Sequence, residues 1–241
     1  MKKNIDYGRI PAGYYDNAMI KGNAVQSFWH REKFSVVIKQ LGDISGKTLL
    51  DIGCGPGTFL SLLPQDYKFA TGIDISPAQI DFASKKNAGS KKIAWIAGDP
   101  LSSKLDSYDV ITSVELVEHL DEAVVVKLFE CIKQHLKSGG RFVVTTPNYK
   151  SLWPVIEWLW SRIGSINYSE QHVTHFTENK LREFLEHAGF TVVYSSGFFI
   201  ISPFLAIVSH RLAKFVQQFE QRFFPHFCSI IICEAICRQK V

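Results

Sequence analysis

The sequence predicts an α/β fold with a doubly wound parallel sheet, and two observations carry that prediction. One is the stretch Thr48-Leu49-Leu50-Asp51-Ile52-Gly53-Cys54-Gly55-Pro56-Gly57, where a short apolar run ends on alternating glycines and passes into an apolar helix start at Thr58. The other is rhythm. Between residues 48 and 147, short apolar runs alternate with helical patterns across short turns, as parallel strands and their crossover helices do.

Residues 1–20 hold Tyr7, Pro11, Gly13, Tyr14 and Tyr15 without periodicity, and an irregular arm is expected. Residues 24–41 place Val25, Phe28, Trp29, Val36, Val37 and Leu41 on one broad stripe, which predicts a helix. Leu49, Leu50 and Ile52 form the first strand, since buried parallel strands read as continuous apolar runs. The glycines come next because glycine accepts positive φ and lets another group approach the backbone. Residues 68–74 are the second strand. Ser76-Pro77 opens a helix to about Lys86, with serine as N-cap and proline at the first helical position.

Residues 92–97 and 108–114 are the third and fourth strands. A helix from Glu122 to Leu136 shows Val124, Val125, Leu128, Phe129, Ile132 and Leu136 at helical spacing, and Gly139-Gly140 is expected to end it. The fifth strand, 141–146, stops at Pro147-Asn148. A very apolar helix covers Trp153 to Trp160, and an amphipathic one runs from Glu178 to Ala188, closed by Gly189. Residues 190–194 and 229–235 are the last two strands. Between them, apolar residues from Phe204 to Phe223 recur at helical spacing, opposite His210, Arg211, Lys214 and Arg222.

With 241 residues the chain is expected to be one domain: an arm and helix at 1–44, a binding core at 45–147, and insertions at 148–176 and 197–228. The net charge of +4 forms no basic stripe, which argues against a nucleic-acid partner. Five scattered cysteines, with no Cys-x-x-Cys and no apolar leader, suggest reduced thiols and a cytoplasmic setting. Cys233 and Cys237 share one strand face, which burial explains better than metal. No apolar run approaches the roughly 18 residues that span a bilayer.

The glycine turn narrows the ligand. The dinucleotide pattern G-x-G-x-x-G fails because its last position falls on Thr58, and no Gly-Lys-Ser/Thr marks a phosphate loop. What stands is Asp-x-Gly-x-Gly-x-Gly, and Gly72-Ile73-Asp74 ends the next strand with an acid where ribose hydroxyls bind. This set resembles the class I S-adenosylmethionine (SAM) methyltransferases. Glu115-Leu116-Val117-Glu118-His119 looks like the matching motif of the ubiquinone-biosynthesis O-methyltransferases among them. The resemblance implies a Rossmann-like seven-stranded sheet whose last two strands form an antiparallel edge hairpin, with 198–227 inserted in it. It implies SAM as cofactor and S-adenosylhomocysteine (SAH) as product. Cofactor contacts are then expected at Asp51, Gly53, Cys54, Gly55, Gly57, Asp74, Ile75, Asp99, Pro100, Val114 and Glu115, with Asp99 on the adenine amino group. Trp29, His30, Arg31 and Lys33 could line the pocket mouth, Arg31 as a further cofactor contact.

After the fourth strand the chain reads Ser113-Val114-Glu115-Leu116, without the Asn/Asp-Pro-Pro-Tyr of amide and exocyclic-amine methyltransferases. That favours an oxygen or carbon acceptor. His119, with its near-neutral reference pKa, and Glu115 and Glu118 beside it are the catalytic candidates; helix-start charge is the alternative account. Glu115, Glu118, His119 and His172 could also hold a divalent ion, as a comparable motif does in the small-RNA 2′-O-methyltransferases, although no bound metal is expected. The expected substrate is a lipophilic or aromatic small molecule. RNA 2′-O-methylation and a non-catalytic, SAM-binding or membrane-associated role are the other two functions weighed. The stripe in 198–227 must close over the acceptor, touch a membrane peripherally, or pair in a homodimer.

Overall fold

The computed structural model describes residues 11–163 and 171–237, with side chains described except at 159–163. The elements are α1 (Tyr14–Lys21), α2 (Ala24–Leu41), β1 (Thr48–Ile52), α3 (Thr58–Ser61), β2 (Phe69–Asp74), α4 (Pro77–Lys86), β3 (Ile93–Ala97) and β4 (Tyr108–Val114). They continue with α5 (Glu122–His135), β5 (Leu136–Pro147), α6 (Trp153–Ile163), α7 (Glu178–His187), β6 (Phe190–Phe198), α8 (Ser202–Leu205), α9 (His210–Phe223) and β7 (Ile230–Cys237). A 3₁₀ turn spans Val117–His119.

The strands form one sheet in the order β3-β2-β1-β4-β5-β7-β6. Neighbours are parallel except around β7, which runs antiparallel to both β5 and β6. This is the expected seven-stranded methyltransferase-type sheet with its edge hairpin. Both faces are covered, and strand alternation decides which residue goes where. Leu49, Val110, Val143 and Ile232 join the core under α2, α3 and α6. Leu50, Ile111, Phe142, Val144 and Cys233 join the core under α5 and α7. Cys237 packs on that same side, as its spacing from Cys233 requires.

Four segments differ from expectation. Residues 14–21 of the arm are helical, because tertiary bonds hold a helix too short to stand alone. Buried Asp16 pairs with Lys86 and accepts from Thr58 Oγ1 at 3.0 Å, and Gly13 N donates to Gln79 Oε1 at 3.1 Å. Residues 1–10 of the expected arm lie outside the described residues. Gly139-Gly140 do not end α5. That helix passes straight into β5 at Leu136, and the pairing jumps from Tyr108↔Leu136 to Val110↔Arg141. The surplus residues loop out at Gly139, whose φ is 72°, a bulge position that glycine fills. β6 runs on to Phe198, beyond the expected end at Tyr194. The run from Phe204 to Phe223 is two helices, broken at Ile207-Val208 and restarted by Ser209, whose side chain accepts from Leu212 N. Within the apolar α6, the side chains of Leu159 and Trp160 lie outside the described residues.

Candidate active site

The strand order turns back between β1 and β4, and open α/β sheets bind ligands at such a point, beyond the carboxyl ends of the strands. A cavity of about 410 Å³ lies there. Its wall has three parts.

The first is the glycine turn with Asp51, Cys54 and Asp74. Gly53 and Gly55 have φ of 73° and 50°. A Cβ on Gly55 would meet nothing within 4 Å, so the turn leaves open space where a ligand can lie on the backbone. Asp74 Oδ2 accepts from Gly55 N and Oδ1 from Ser76 N, both at 2.8 Å. The carboxylate thus clamps the turn, and each oxygen keeps a second lone pair for a ligand hydroxyl. Burial pushes the Asp74 pKa up against those two donors. Asp51, fully buried, accepts from Thr112 Oγ1 at 2.7 Å; burial lifts it to about 7, opposed by that bond and helped by the charge of Asp74. Gly57 stands off the wall. A Cβ there would lie 2.4 Å from the Trp95 ring, so packing against β3 requires this glycine.

The second part is the lid made by α1 and α2, which offers Tyr14, Tyr15, Trp29, His30, Lys33 and Phe34. Arg31 is a correction. It is exposed on the far side of α2, with Nε on Ser27 Oγ at 3.1 Å, because its position in the helical repeat faces water. Lys33 takes the inward place, buried and paired with Glu115. Glu115 itself has φ 52°, an uncommon left-handed conformation for a residue with a Cβ, which turns the chain sharply at the end of β4. Burial, aided by Lys33, holds the His30 pKa well below its usual range, and its Nδ1 is a buried polar atom without a partner among the described residues. That orphan, the open Gly55 and the Asp74 carboxylate fit an adenosine-type cofactor bearing hydroxyls and a polar tail.

The third part is the inner end: Glu118, His119, Pro147, Trp153, Glu157 and His172. It joins two distant segments. Val173 N and Thr174 N donate to the Glu118 carbonyl at 2.8 and 3.0 Å, and Thr174 Oγ1 donates to Leu120 O at 2.6 Å. His119 Nδ1 donates to Gln171 O at 3.1 Å. Glu118 accepts from Thr146 Oγ1 at 3.0 Å, and burial raises it to about 7, with His172 opposing and Glu115 adding. Burial and then His172 press His119 down to about 4, so it is a neutral, weakly basic imidazole. His172 Nδ1 lies 2.6 Å from Glu157 Oε1, and Tyr149 Oη donates to the same carboxylate at 3.0 Å.

Of the other expected cofactor contacts, Val114 and Glu115 line the cavity, while Ile75, Asp99 and Pro100 do not. Asp99 is exposed and its Oδ1 caps a turn by accepting from Leu101 N at 2.9 Å. Of the four candidate metal ligands, Glu118, His119 and His172 offer atoms within 4.8 Å of one another, but Glu115 is drawn to Lys33. The Nδ1 of His172 faces a carboxylate, which is the geometry of an imidazolium ion pair. Sequence reasoning missed Glu157 and Tyr149. The signal was there for Glu157: it is the lone acid in Trp153-Pro154-Val155-Ile156-Glu157-Trp158, and a buried acid must find a partner.

Comparisons with known proteins agree with this architecture. Residues 26–195 match the family described as a methyltransferase domain. The chain is 32% identical over 149 residues to a 2-methyl-6-phytyl-1,4-hydroquinone methyltransferase of Synechocystis, covering 58% of this chain and 45% of the relative. It is 32% identical over 116 residues to the mitochondrial ubiquinone biosynthesis O-methyltransferase of Schizosaccharomyces pombe, covering 46% of this chain and 41% of that one. The chain therefore spans less than half the length of these two relatives. Among solved structures, magnesium protoporphyrin IX methyltransferase from Synechocystis with bound SAH superposes with a TM-score of 0.64 at 16% identity, covering 90% of this chain and 86% of that one. That likeness is one of fold.

Proposed function

The chain belongs to the methyltransferase family as a class I SAM-dependent enzyme, and from that premise we propose that it methylates an oxygen of a lipophilic or aromatic small molecule of the quinone-precursor kind. The observation that carries this is the make-up of the cavity. The glycine turn and Asp74 line it together with acids, histidines and two indoles, Trp29 and Trp153, whose ring centroids lie 5.6 Å apart. Aromatic walls suit a planar ring, and the polar end suits its hydroxyl. The names of the two relatives point to quinones as well. SAM supplies an electrophilic methyl on sulfur; the chain's residues hold and orient both partners.

Two experiments test this. Labelled methyl transfer from SAM into a whole-cell lipid extract should put label into an ether-linked product. Label confined to water-soluble compounds would overturn the lipophilic acceptor. Separately, Asp74→Ala removes the proposed hydrogen bonds from ribose hydroxyls to a half-buried carboxylate. Calorimetry should show SAM binding weakened by about 1.5–3 kcal/mol, and unchanged affinity would refute Asp74 as a cofactor ligand.

The insertion supports a bilayer as the source of the acceptor. α9 buries Ala213, Gln217 and Glu220 and turns its apolar stripe outward. Phe215, Phe219 and Phe223 are 68%, 48% and 57% exposed, and Ile207 and Val208 are more exposed still. Arg211 and Arg222 flank them, Lys214 pairs with Glu32 of α2 at 3.4 Å, and the only acid of the segment, Glu220, is buried, so the two arginines favour anionic lipid. No helix among the described residues is long and apolar enough to cross a membrane, so the contact is peripheral. Phe215→Asp with Phe219→Asp should abolish sedimentation with anionic vesicles and raise KM for a long-tailed acceptor, leaving SAM affinity alone. Vesicle binding equal to the parent's would sink the membrane contact. Loss of a dimer in place of vesicle binding would assign the face to a second copy.

A further inference from the structure

The wall of the cavity is unevenly charged. Five carboxylates line it, those of Asp51, Asp74, Glu115, Glu118 and Glu157, against one lysine, Lys33, and no arginine among the described residues. An anionic group of a ligand is repelled along most of such a wall and attracted beside Lys33. Lys33 lies on the inward stripe of α2, 5% exposed, with Nζ paired to Glu115 and 5.1 Å from the centroid of the Phe34 ring. Glu115 is its one hydrogen-bond and ion-pair partner among the described residues. An ammonium has three N–H donors and a carboxylate about four acceptor sites, so each member keeps capacity for a second partner. A buried pair of this kind adds little to stability, because desolvation offsets much of the attraction. What its position supplies is a positive and a negative group side by side on the cavity wall. The pair also stands against the glycine turn, since Leu116, next after Glu115, would lie 2.9 Å from a Cβ on Gly53.

We propose that Lys33 and Glu115 form the subsite for the zwitterionic end of the cofactor, Lys33 taking its α-carboxylate and Glu115 its α-ammonium. This rests on SAM as the cofactor and is independent of the acceptor. SAM and SAH both end in an amino acid that carries the two opposite charges on one carbon. An ion pair on the wall is the electrostatic complement of such a group, because each of the four charges gains a neighbour of opposite sign. Glu115 is held for the task by its backbone. Its φ of 52° is a conformation that a residue with a Cβ adopts at a cost, and the bonds from its N to Thr145 O at 3.1 Å and Thr145 Oγ1 at 3.2 Å maintain it.

The other charged groups of the wall are engaged elsewhere. Asp74 accepts from Gly55 N and Ser76 N, and Asp51 is bonded to Thr112. Glu118 is bonded to Thr146, and Glu157 faces His172. His30, three residues before Lys33 on the same wall, is neutral, so it brings no charge to the carboxylate. The division of labour between Lys33 and Glu115 makes the subsite selective. A ligand with the same adenosine and the ammonium but no carboxylate loses its partner at Lys33 and sets a second cation beside it.

Calorimetry on the full chain tests this with three ligands that share the adenosine and the sulfur. They are SAH, S-adenosyl-3-thiopropylamine, which keeps the ammonium and lacks the carboxylate, and 5′-methylthioadenosine, which lacks both. The parent should bind SAH on the order of 10–100-fold more tightly than either of the others. Lys33→Met should remove that advantage, leave methylthioadenosine unchanged and tighten the amine, because Glu115 is then free to take its ammonium. A lysine that only supports the fold would move all three affinities together. Lys33→Met combined with Glu115→Gln removes both charges and strands neither. With its fold checked by a thermal melt, it should lose the preference for SAH over methylthioadenosine. If a single variant unfolds, this double variant decides by the same comparison. SAH affinity unchanged in Lys33→Met, or an equal loss across the three ligands, overturns the subsite. So does a parent that binds methylthioadenosine as tightly as SAH, which leaves the cofactor site itself standing. A parent that binds none of the three refutes SAM binding in this cavity, and the subsite falls with it.

Discussion

Gly55→Val should cost on the order of a hundredfold in SAM affinity, about 2.7 kcal/mol, while the protein stays folded. Gly55 lines the cavity, and the space its Cβ would enter is open. A side chain there grows from a Cβ that meets no protein atom within 4 Å into the cavity. Its φ of 50° adds strain of about 1–2 kcal/mol for a residue with a Cβ, which the fold can absorb. Calorimetry with SAH and a thermal melt, run together, separate the two effects. Gly57→Ala is the contrast. Its Cβ would strike the Trp95 ring at 2.4 Å with φ at 70°, so there the melt should drop first. A Gly55→Val protein that binds SAH like the parent would show that the cofactor does not lie on this turn.

Glu220→Ala should destabilise the protein by about 3–5 kcal/mol, a fall in Tm on the order of 10 °C for a chain of this size. Glu220 is a buried acid with four donors: Ile200 N at 3.0 Å, Ile201 N at 2.7 Å, Ser202 N at 3.0 Å and Ser202 Oγ at 2.6 Å. It reaches from α9 to the open amides at the start of α8 and locks the two helices together. Removing it strands those donors. The polar residue also explains the direction of α9, because a carboxylate turned inward forces the phenylalanines outward. Denaturant unfolding measures the loss, and a change below 1 kcal/mol would show that the four bonds contribute little.

That inversion marks the limit of what the sequence told. The sheet was legible because parallel strands buried on both faces appear as apolar runs, and Leu49-Leu50 with Asp51 to Gly57 leaves few alternatives. The glycine-turn wall of the cavity was legible because its geometry is backbone geometry, written in glycines and in one acid at a strand end. In α9 the periodicity correctly foretold a helix and its two faces. Which face turns inward depended on a bond between Glu220 and residues eighteen to twenty positions away, a tertiary fact that periodicity does not hold. The histidines tell the same story. His119 and His172 were both visible as imidazoles, but their surroundings are set by Glu157, by Gln171 and by burial, which appear only once the loops are in place. The Gly139-Gly140 pair misled because the same residues suit a helix end and a strand bulge, and the register with β4 decided between them.

The position of β7 has a consequence for how the molecule is assembled. It is the last strand in the described sequence, yet it lies between β5 and β6. Until residues 230–237 arrive, β5 presents an unpaired edge along 141–147, a segment whose apolar residues are almost fully buried in the finished sheet. Open strand edges of that kind recruit other chains. Synthesis proceeds from the amino end, and pairings distant in sequence form slowly. The chain therefore passes through a period in which everything needed to bind a cofactor has been made but its central strand is still exposed along one side. Yield at high expression should hinge on how fast this final strand inserts, a kinetic liability independent of how stable the completed protein is.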